Sequence, residues 1–396
     1  MRKGVLIAAF VVLVGMSVVC TAFAENSATA ESGAKIEVYS YDIDGSINDV
    51  AVSEDGLVIF TGMAYREAES GRLEDTLQDG YALCIDAQGN ECWRLRENLG
   101  SLNIMRAPVF GEDGSASMLL YTRTNMTGGQ WEQVELLRVD SQGQIVSRQL
   151  ITGHILDGRH IGEYALVDNG YLISVSDGEF VQIPSGLGYA WEGEESYYFY
   201  GRGGNRVREL DELHGMELLA ISQAHALMRE EDGNVGLYSL DAHGNVKRLT
   251  TAFMREDNVY VEDLVSLEDG GAAVSGFVWK TNSESEPCWI RRYDAQGNMV
   301  MEVSSGALRQ SGLVRLQSGF ALVGFWNPRA NMLSRLMFLS DDGAWSDKVS
   351  LEELGMYVDR ITAMPDGALL VLGGSLGDDG EEGRRLCAAI IPGEEF

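Results

Sequence analysis

The chain has 396 residues, with 30 Lys and Arg against 60 Asp and Glu, a formal net charge of −30. A surface this acidic repels the phosphates of nucleic acid and the headgroups of anionic lipid, so neither is expected as a partner. The composition holds 47 glycines but only 6 prolines and 5 cysteines, and no long stretch keeps apolar residues at helical spacing, which points to an all-β chain.

Residues 1–24 read as a signal peptide. Arg2 and Lys3 precede an apolar run from Gly4 to Cys20, and Ala22 and Ala24 are the small residues a cleavage site wants at −3 and −1. Cleavage after Ala24 removes two basic residues and no acidic one, leaving a net charge of −32 on a secreted or cell-surface protein. Two alternatives stand beside this. The run is long enough to be kept as an N-terminal membrane anchor, and Cys20 is a site for lipidation, although Val19 before it is bulkier than a lipobox prefers. Residues 25–34, rich in Ser, Ala, Glu and Gly, read as a disordered lead-in.

From Lys35 onward a pattern of short strands recurs, most cleanly over Val261–Ser304. Val261–Leu267 leads into a Glu-Asp-Gly-Gly turn, Ala272–Trp279 returns, a polar loop crosses to Cys288–Tyr293, and Asp294-Ala295-Gln296-Gly297-Asn298 turns the chain into Met299–Val303. The closing turn reappears at Asp86–Asn90, Asp140–Gln144 and Asp241–Asn245, more weakly at Ser340–Ala344, without its Asp at Gly201–Asn205, and degraded at Ile391–Gly393. A period of about 50 residues suits propeller blades rather than helical solenoids. The expected fold is therefore a single all-β propeller over residues 35–396, with seven four-stranded blades. The last unit has only three strands, so the N-terminal strand Lys35–Tyr41 is expected to complete it and close the ring. Six or eight blades are the alternatives, because units three and four are irregular. Unit three carries an insertion, Gly178–Glu195, with exposed aromatics on a rim where a binding loop would sit, or simply drift between strands.

Cys84 and Cys92 lie symmetrically about the first Asp-Ala-Gln-Gly-Asn turn; direct cross-strand pairing would make a disulfide possible in an oxidising compartment. Cys288 and Cys387 fall in non-adjacent units and are expected free. Asp42, Asp44 and Asp49, and separately Asp378–Glu382, have part of the oxygen spacing of a calcium loop, but neither has the full alternation, and no metal is expected. His154 and His160 bracket Asp157 without an activated Ser or Cys, and no nucleophile elbow, phosphate loop or zinc signature occurs. In a propeller, the starts of the inner strands converge on one mouth of the axial channel. Those positions hold Asp49, Arg106, Glu163, Glu262, Asp263, Asp359 and Arg360, charged where flanking positions are apolar. They are the candidate ligand-binding residues; the bland alternative is that charge marks where each strand emerges into water.

The repeat resembles that of exported bacterial propellers whose blades run Asp-Gly-Gly, Gly, Trp, Asp-x-x-Gly-Asn, here Asp269-Gly270-Gly271, Gly276, Trp289 and Asp294–Asn298. That group is similar in pattern to the quinoprotein-like propellers. The resemblance implies the fold alone: the adjacent-cysteine pair of quinone-dependent alcohol dehydrogenases is missing, and so is their regular blade tryptophan. No cofactor and no catalytic residue are carried over. The expected function is an exported, monomeric binding or scaffolding module for a small polar ligand or a protein partner. The alternatives are an extracytoplasmic, glycan-active enzyme using carboxylates at the channel mouth, and a membrane-anchored sensor.

Overall fold

The computed structural model describes residues 24–29, 35–66, 77–126, 129–152, 159–182, 189–255, 259–278, 288–305, 309–325, 334–350, 354–376 and 382–393. The described chain is strands and turns. β1 (Ala24–Thr29) and β2 (Lys35–Val52) precede β3 (Val58–Arg66), β4 (Leu77–Ile85) and β5 (Glu91–Glu97). Next come β6 (Leu102–Phe110), β7 (Ala116–Met126), β8 (Gly129–Val139) and β9 (Ile145–Leu150), then β10 (Arg159–Val167), β11 (Gly170–Gln182), β12 (Tyr189–Gly201) and β13 (Arg206–Glu209). A single 3-10 turn, Asp211–Leu213, leads to β14 (Glu217–Ile221), β15 (His225–Arg229), β16 (Val235–Leu240) and β17 (Val246–Phe253). The rest are β18 (Val259–Ser266), β19 (Ala272–Val278), β20 (Trp289–Tyr293), β21 (Met299–Ser304), β22 (Arg309–Leu316), β23 (Gly319–Phe325), β24 (Ser334–Ser340), β25 (Trp345–Ser350), β26 (Met356–Ala363), β27 (Leu369–Leu376) and β28 (Glu382–Ile391).

Strands β10–β13, β14–β17, β18–β21 and β22–β25 form four separate antiparallel sheets, each in chain order. The remaining strands join along the path β26-β27-β28-β2-β3-β4-β6-β7-β8-β9, with β5 on β4 and β1 on β2. Two links in that path differ in kind. β4 meets β6 through one parallel pair, Gln78 with Leu102. β2 is an 18-residue strand shared between two sheets: Glu37 to Asp44 pair with β28, and Gly45 to Val52 pair with β3. Successive four-stranded sheets packed face to face make this a β-propeller. Ala24–Thr29 pair with Lys35–Tyr39, so part of the segment expected to be a disordered lead-in is a strand. The rest of that lead-in and residues 1–23 lie outside the described residues, and among those described no helix is long and apolar enough to cross a membrane.

Apolar side chains collect between consecutive sheets. Ile59, Cys84, Met105, Met118 and Leu137 fill one such layer. Tyr41, Ile47, Phe60, Leu83, Leu370, Leu372 and Leu386 fill the layer between the last strands and the first. The closing turns show why the repeat keeps its residues. In Asp86–Asn90 the carboxylate Oδ1 accepts the N–H groups of Gln88 (2.9 Å) and Asn90 (2.8 Å), while the Asp86 N–H donates to the Asn90 carbonyl at 2.9 Å. Gly89 sits at φ 78°, a conformation that costs an L-residue. It also needs its hydrogen: a Cβ there would lie 2.6 Å from the Tyr39 ring, and one on Gly143 would lie 2.7 Å from the Trp93 ring. These two turns thus rest on a neighbouring strand, Tyr39 in β2 and Trp93 in β5. Where the Asp is lost, the turn survives on its main-chain bonds, Gly201 N–H to Asn205 O at 3.0 Å and Gly204 N–H to Gly201 O at 2.8 Å.

The insertion in the third unit extends a hairpin: β11 and β12 stay in register from Gly170 with Gly201 out to Gln182 with Tyr189. Its tip, residues 183–188, lies outside the described residues.

Candidate functional site

Strands β2, β6, β10, β14, β18, β22 and β26 share a feature that alternation does not announce. Each carries one register shift against its neighbour, at Ile47/Asp49, Arg106/Val109, Ile161/Tyr164, Leu218/Ala220, Val261/Asp263, Ser311/Leu313 and Val358/Arg360. A bulge re-aims side chains, and five of these bulges fall on the positions singled out as the channel mouth, those at Leu218/Ala220 and Ser311/Leu313 being the exceptions. In β6 the bulge holds Ala107 at φ 52°, a left-handed conformation uncommon outside glycine.

The seven candidate residues divide into two groups. Asp49, Asp263 and Asp359 each cross to the next inner strand and accept a main-chain N–H: Asp49 Oδ2 from Ala107 at 2.9 Å, Asp263 Oδ2 from Leu313 at 2.8 Å, and Asp359 Oδ2 from Ile47 at 3.0 Å. Asp263 Oδ1 also accepts the N–H of Leu264 at 2.8 Å. Burial pushes the Asp263 carboxyl up, and the two main-chain donors and the nearby Arg360 pull against that. Asp263 and Asp359, with Glu262 at the β18 bulge, do not line the channel cavity.

Asp49, Arg106, Glu163 and Arg360 do line it, in a space of about 500 Å³. Arg106 lies over the Tyr164 ring at 5.1 Å, and Tyr164 stacks on Tyr121 at 5.5 Å. Arg106 Nη1 donates to Glu163 Oε2 at 3.1 Å, with Glu163 about half exposed. Burial opposes the guanidinium charge, yet Tyr164, Asp49 and Glu163 together raise its pKa. Arg360 reaches from β26 to β2, donating Nε to the Asn48 carbonyl at 2.6 Å.

Sequence reasoning missed five contributors. Ser266 lines the channel with Ser222; their hydroxyls are 2.6 Å apart, and Ser266 Oγ also meets His225 Nδ1 at 3.0 Å. His225 is buried, burial holds its pKa down, and its Nδ1 contact positions the Ser266 hydroxyl. Beside Glu163, Tyr197 donates its hydroxyl to Glu195, whose carboxyl is raised by burial first and then by Glu163 and Glu217. These residues come from different sheets or from the far end of a hairpin, so no local motif marks them. His160, by contrast, bonds the buried Glu132 at 2.7 Å, while Glu132 accepts the Ile161 N–H at 2.8 Å: the pair ties β8 to β10. His154 and Asp157 lie outside the described residues.

The register also corrects the cysteine reading. A bulge after the first closing turn pairs Ile85 with Glu91 and Cys84 with Trp93, leaving Cys92 as the extra residue. Cys84 is buried, Cys92 is exposed, and both are free thiols; burial pushes both pKa values up. Among the described residues no group of three or more His, Cys, Asp or Glu is placed to hold a metal ion. Of the two calcium-loop candidates, Asp49 is taken by Ala107, and residues 378–381 lie outside the described ones.

No family model matches the chain, and no curated protein sequence does. Among solved structures, the chain is similar to an acylaminoacyl peptidase from Pyrococcus horikoshii, at 10% identity and a TM-score of 0.52, over 85% of this chain and 50% of that one. It is similar at lower scores to the WD40 β-propeller domain of Doa1, at 14% identity and 0.49 over 89% of this chain and 94% of that one, and to the β-propeller domain of the Trilobed protease from Pyrococcus furiosus, at 12% and 0.47 over 88% and 94%. The chain thus spans half of the peptidase, and at these identities the likeness concerns the fold alone.

Proposed function

We propose that this chain is an exported, seven-bladed propeller, closed by Lys35–Tyr41, that works as a monomeric binding or scaffolding module with its ligand at the channel mouth. Closure is supported by Tyr39, which receives the first closing turn as Trp93 receives the second. It is supported also by the apolar layers, which follow one another from sheet to sheet and return from the last strands to the first. The observation that carries the binding role is the channel itself. Side chains from sheets far apart in sequence converge on a space within the range of small-ligand sites, and some of their polar groups stay unspent. Export rests on the signal-like segment and the acidic surface.

One experiment addresses both architecture and export. The secreted protein should begin at Glu25 by mass spectrometry, and deletion of Lys35–Tyr41 should leave it aggregated or lower its melting temperature by well over about 10 °C. A truncated protein melting within a degree or two of the parent overturns the closure, and an intact Met1 in the membrane fraction favours the anchored sensor.

Glu195 favours a second reading, the glycan-active enzyme. A carboxyl raised above its ordinary range beside a second carboxylate, Glu163, is the pairing a glycosidase needs. Release of reducing ends from a glycan panel, lost in both Glu163→Gln and Glu195→Gln, would establish it.

A further inference from the structure

At the channel the leftover hydrogen-bonding capacity is unequal. Each aspartate has committed at least one oxygen to a main-chain N–H: Asp49 takes that of Ala107, Asp359 that of Ile47, and Asp263 those of Leu313 and Leu264, while Asn48 Oδ1 is buried without a partner. The guanidinium groups keep several donors free of any carboxylate. Arg360 gives Nε to the Asn48 carbonyl and makes a long 3.4 Å contact from Nη1 to the Asp359 carbonyl, both main-chain acceptors, and it also acts electrostatically on the buried Asp263 carboxyl. Arg106 Nε is buried with no hydrogen-bond partner, and its one carboxylate partner, Glu163, is exposed enough to swing aside.

The two arginines flank a single feature, the β2 bulge. Arg360 holds the carbonyl of Asn48, and the carboxylate of Asp49 holds the N–H next to Arg106. Arg106 is further fixed by its seat on Tyr164. Charge in the cavity is locally balanced rather than acidic. In a chain of net charge −30, this cavity is lined by Arg106, Arg315 and Arg360 against Asp49 and Glu163. Arg315 is neutralised by Asp341 outside the cavity, at 2.6 and 3.1 Å, so the unspent donors are those of Arg106 and Arg360.

From the donors that Arg106 and Arg360 leave unspent we infer that the channel binds a small ligand through a carboxylate group, seated between these two arginines. The inference rests on the channel mouth being the binding site and adds the chemical class of what enters it. A planar, acceptor-only group matches paired guanidinium forks. The acidic exterior would repel such a ligand at long range, so capture depends on the local donors and on screening. A uronic acid and the C-terminal end of a peptide both carry this group.

The test is calorimetric titration of the full mature protein with N-acetyl-alanyl-alanine as the free acid, with the same dipeptide as its amide, and with galacturonate. The free acid should bind at least about tenfold tighter than the amide, and Arg106→Gln or Arg360→Gln should each weaken it by at least about tenfold. Arg360→Lys, which keeps the charge but not the fork, should fall between. Arg208→Gln, on an exposed arginine paired with Glu212, should change nothing. Preference for galacturonate over the dipeptide acid, or the reverse, tells the acidic sugar from the peptide end. Equal binding of acid and amide, weakened alike by both Gln variants, would keep the site and overturn the carboxylate. No heat from any probe up to about 10 mM would overturn both. If a Gln variant melts far below the parent, Arg360→Lys decides, and binding equal to the parent would then count against the inference.

Discussion

Asp263 and Asp294 belong to the same four-stranded sheet, one on its inner strand and one at its outer turn. Asp294 spends its carboxylate within five residues, accepting the N–H groups of Gln296 at 2.9 Å and Asn298 at 2.8 Å and the Asn298 side-chain amide at 2.9 Å. Asp263 gives one oxygen to its own strand and the other to the inner strand of the next sheet. Their titrations are displaced in opposite directions: burial pushes Asp263 up, and the bonds from Asn298 hold Asp294 down. The same residue type is a local device at the rim and a coupling device at the axis. What separates them is whether the backbone donor they satisfy belongs to a distant segment and is cut off from water.

The largest expected break in that comparison is Asp263→Ala. It strands two main-chain donors and should lower stability by about 3 kcal/mol in urea unfolding. Asp294→Ala should shift the melting temperature by less than about 2 °C, since water replaces every bond it loses. Similar losses at the two positions would refute the distinction. Gly143→Ala should come second, at about 1–2 kcal/mol, because it meets both the positive φ and the Trp93 ring. A double-mutant cycle with Trp93→Leu should recover part of that loss; strict additivity would show that the turn does not bear on its neighbour.

The subtlest effect is in pH. With its folded pKa raised, Asp263 contributes stability below the ordinary carboxylate range that is lost as pH rises through the folded value. With its folded pKa lowered, Asp294 contributes stability above that range that is lost as pH falls. Asp263→Asn should therefore flatten the decline on the rising limb and Asp294→Asn the one on the acid limb. Urea midpoints measured across the acidic range would show it, and both variants acting on one limb would contradict the assignment.

The rim was far more legible in the sequence than the axis. The Asp-x-x-Gly turns carry their own chemistry, so spacing alone located the strands on either side. The charged starts of the inner strands could also be found by counting back from the turns, but their roles could not. Asp49 and Asp359 look alike in sequence, yet only Asp49 lines the cavity. A bulge adds one residue without changing composition, and that residue decides which side chain faces the channel. The same blindness misplaced Cys92: symmetry about Gln88 assumed an unbroken ladder, and one extra residue moved Trp93 into the facing position. Ser266 and His225 meet across two sheets, a proximity no periodicity encodes.

The shared strand β2 has a consequence in time. Its residues Glu37–Tyr41 pair with Leu386–Ile390 on β28, at the far end of the described strands. Among the described ladders this pairing has the longest sequence separation, and the seam cannot zip until β28 has been made. Until then β2 has a local companion in β1, which follows it from Lys35 to Tyr39 and covers one of its two edges. Variants that slow this pairing, rather than those that weaken any one sheet, are the ones that should leave an open, adhesive edge on β28.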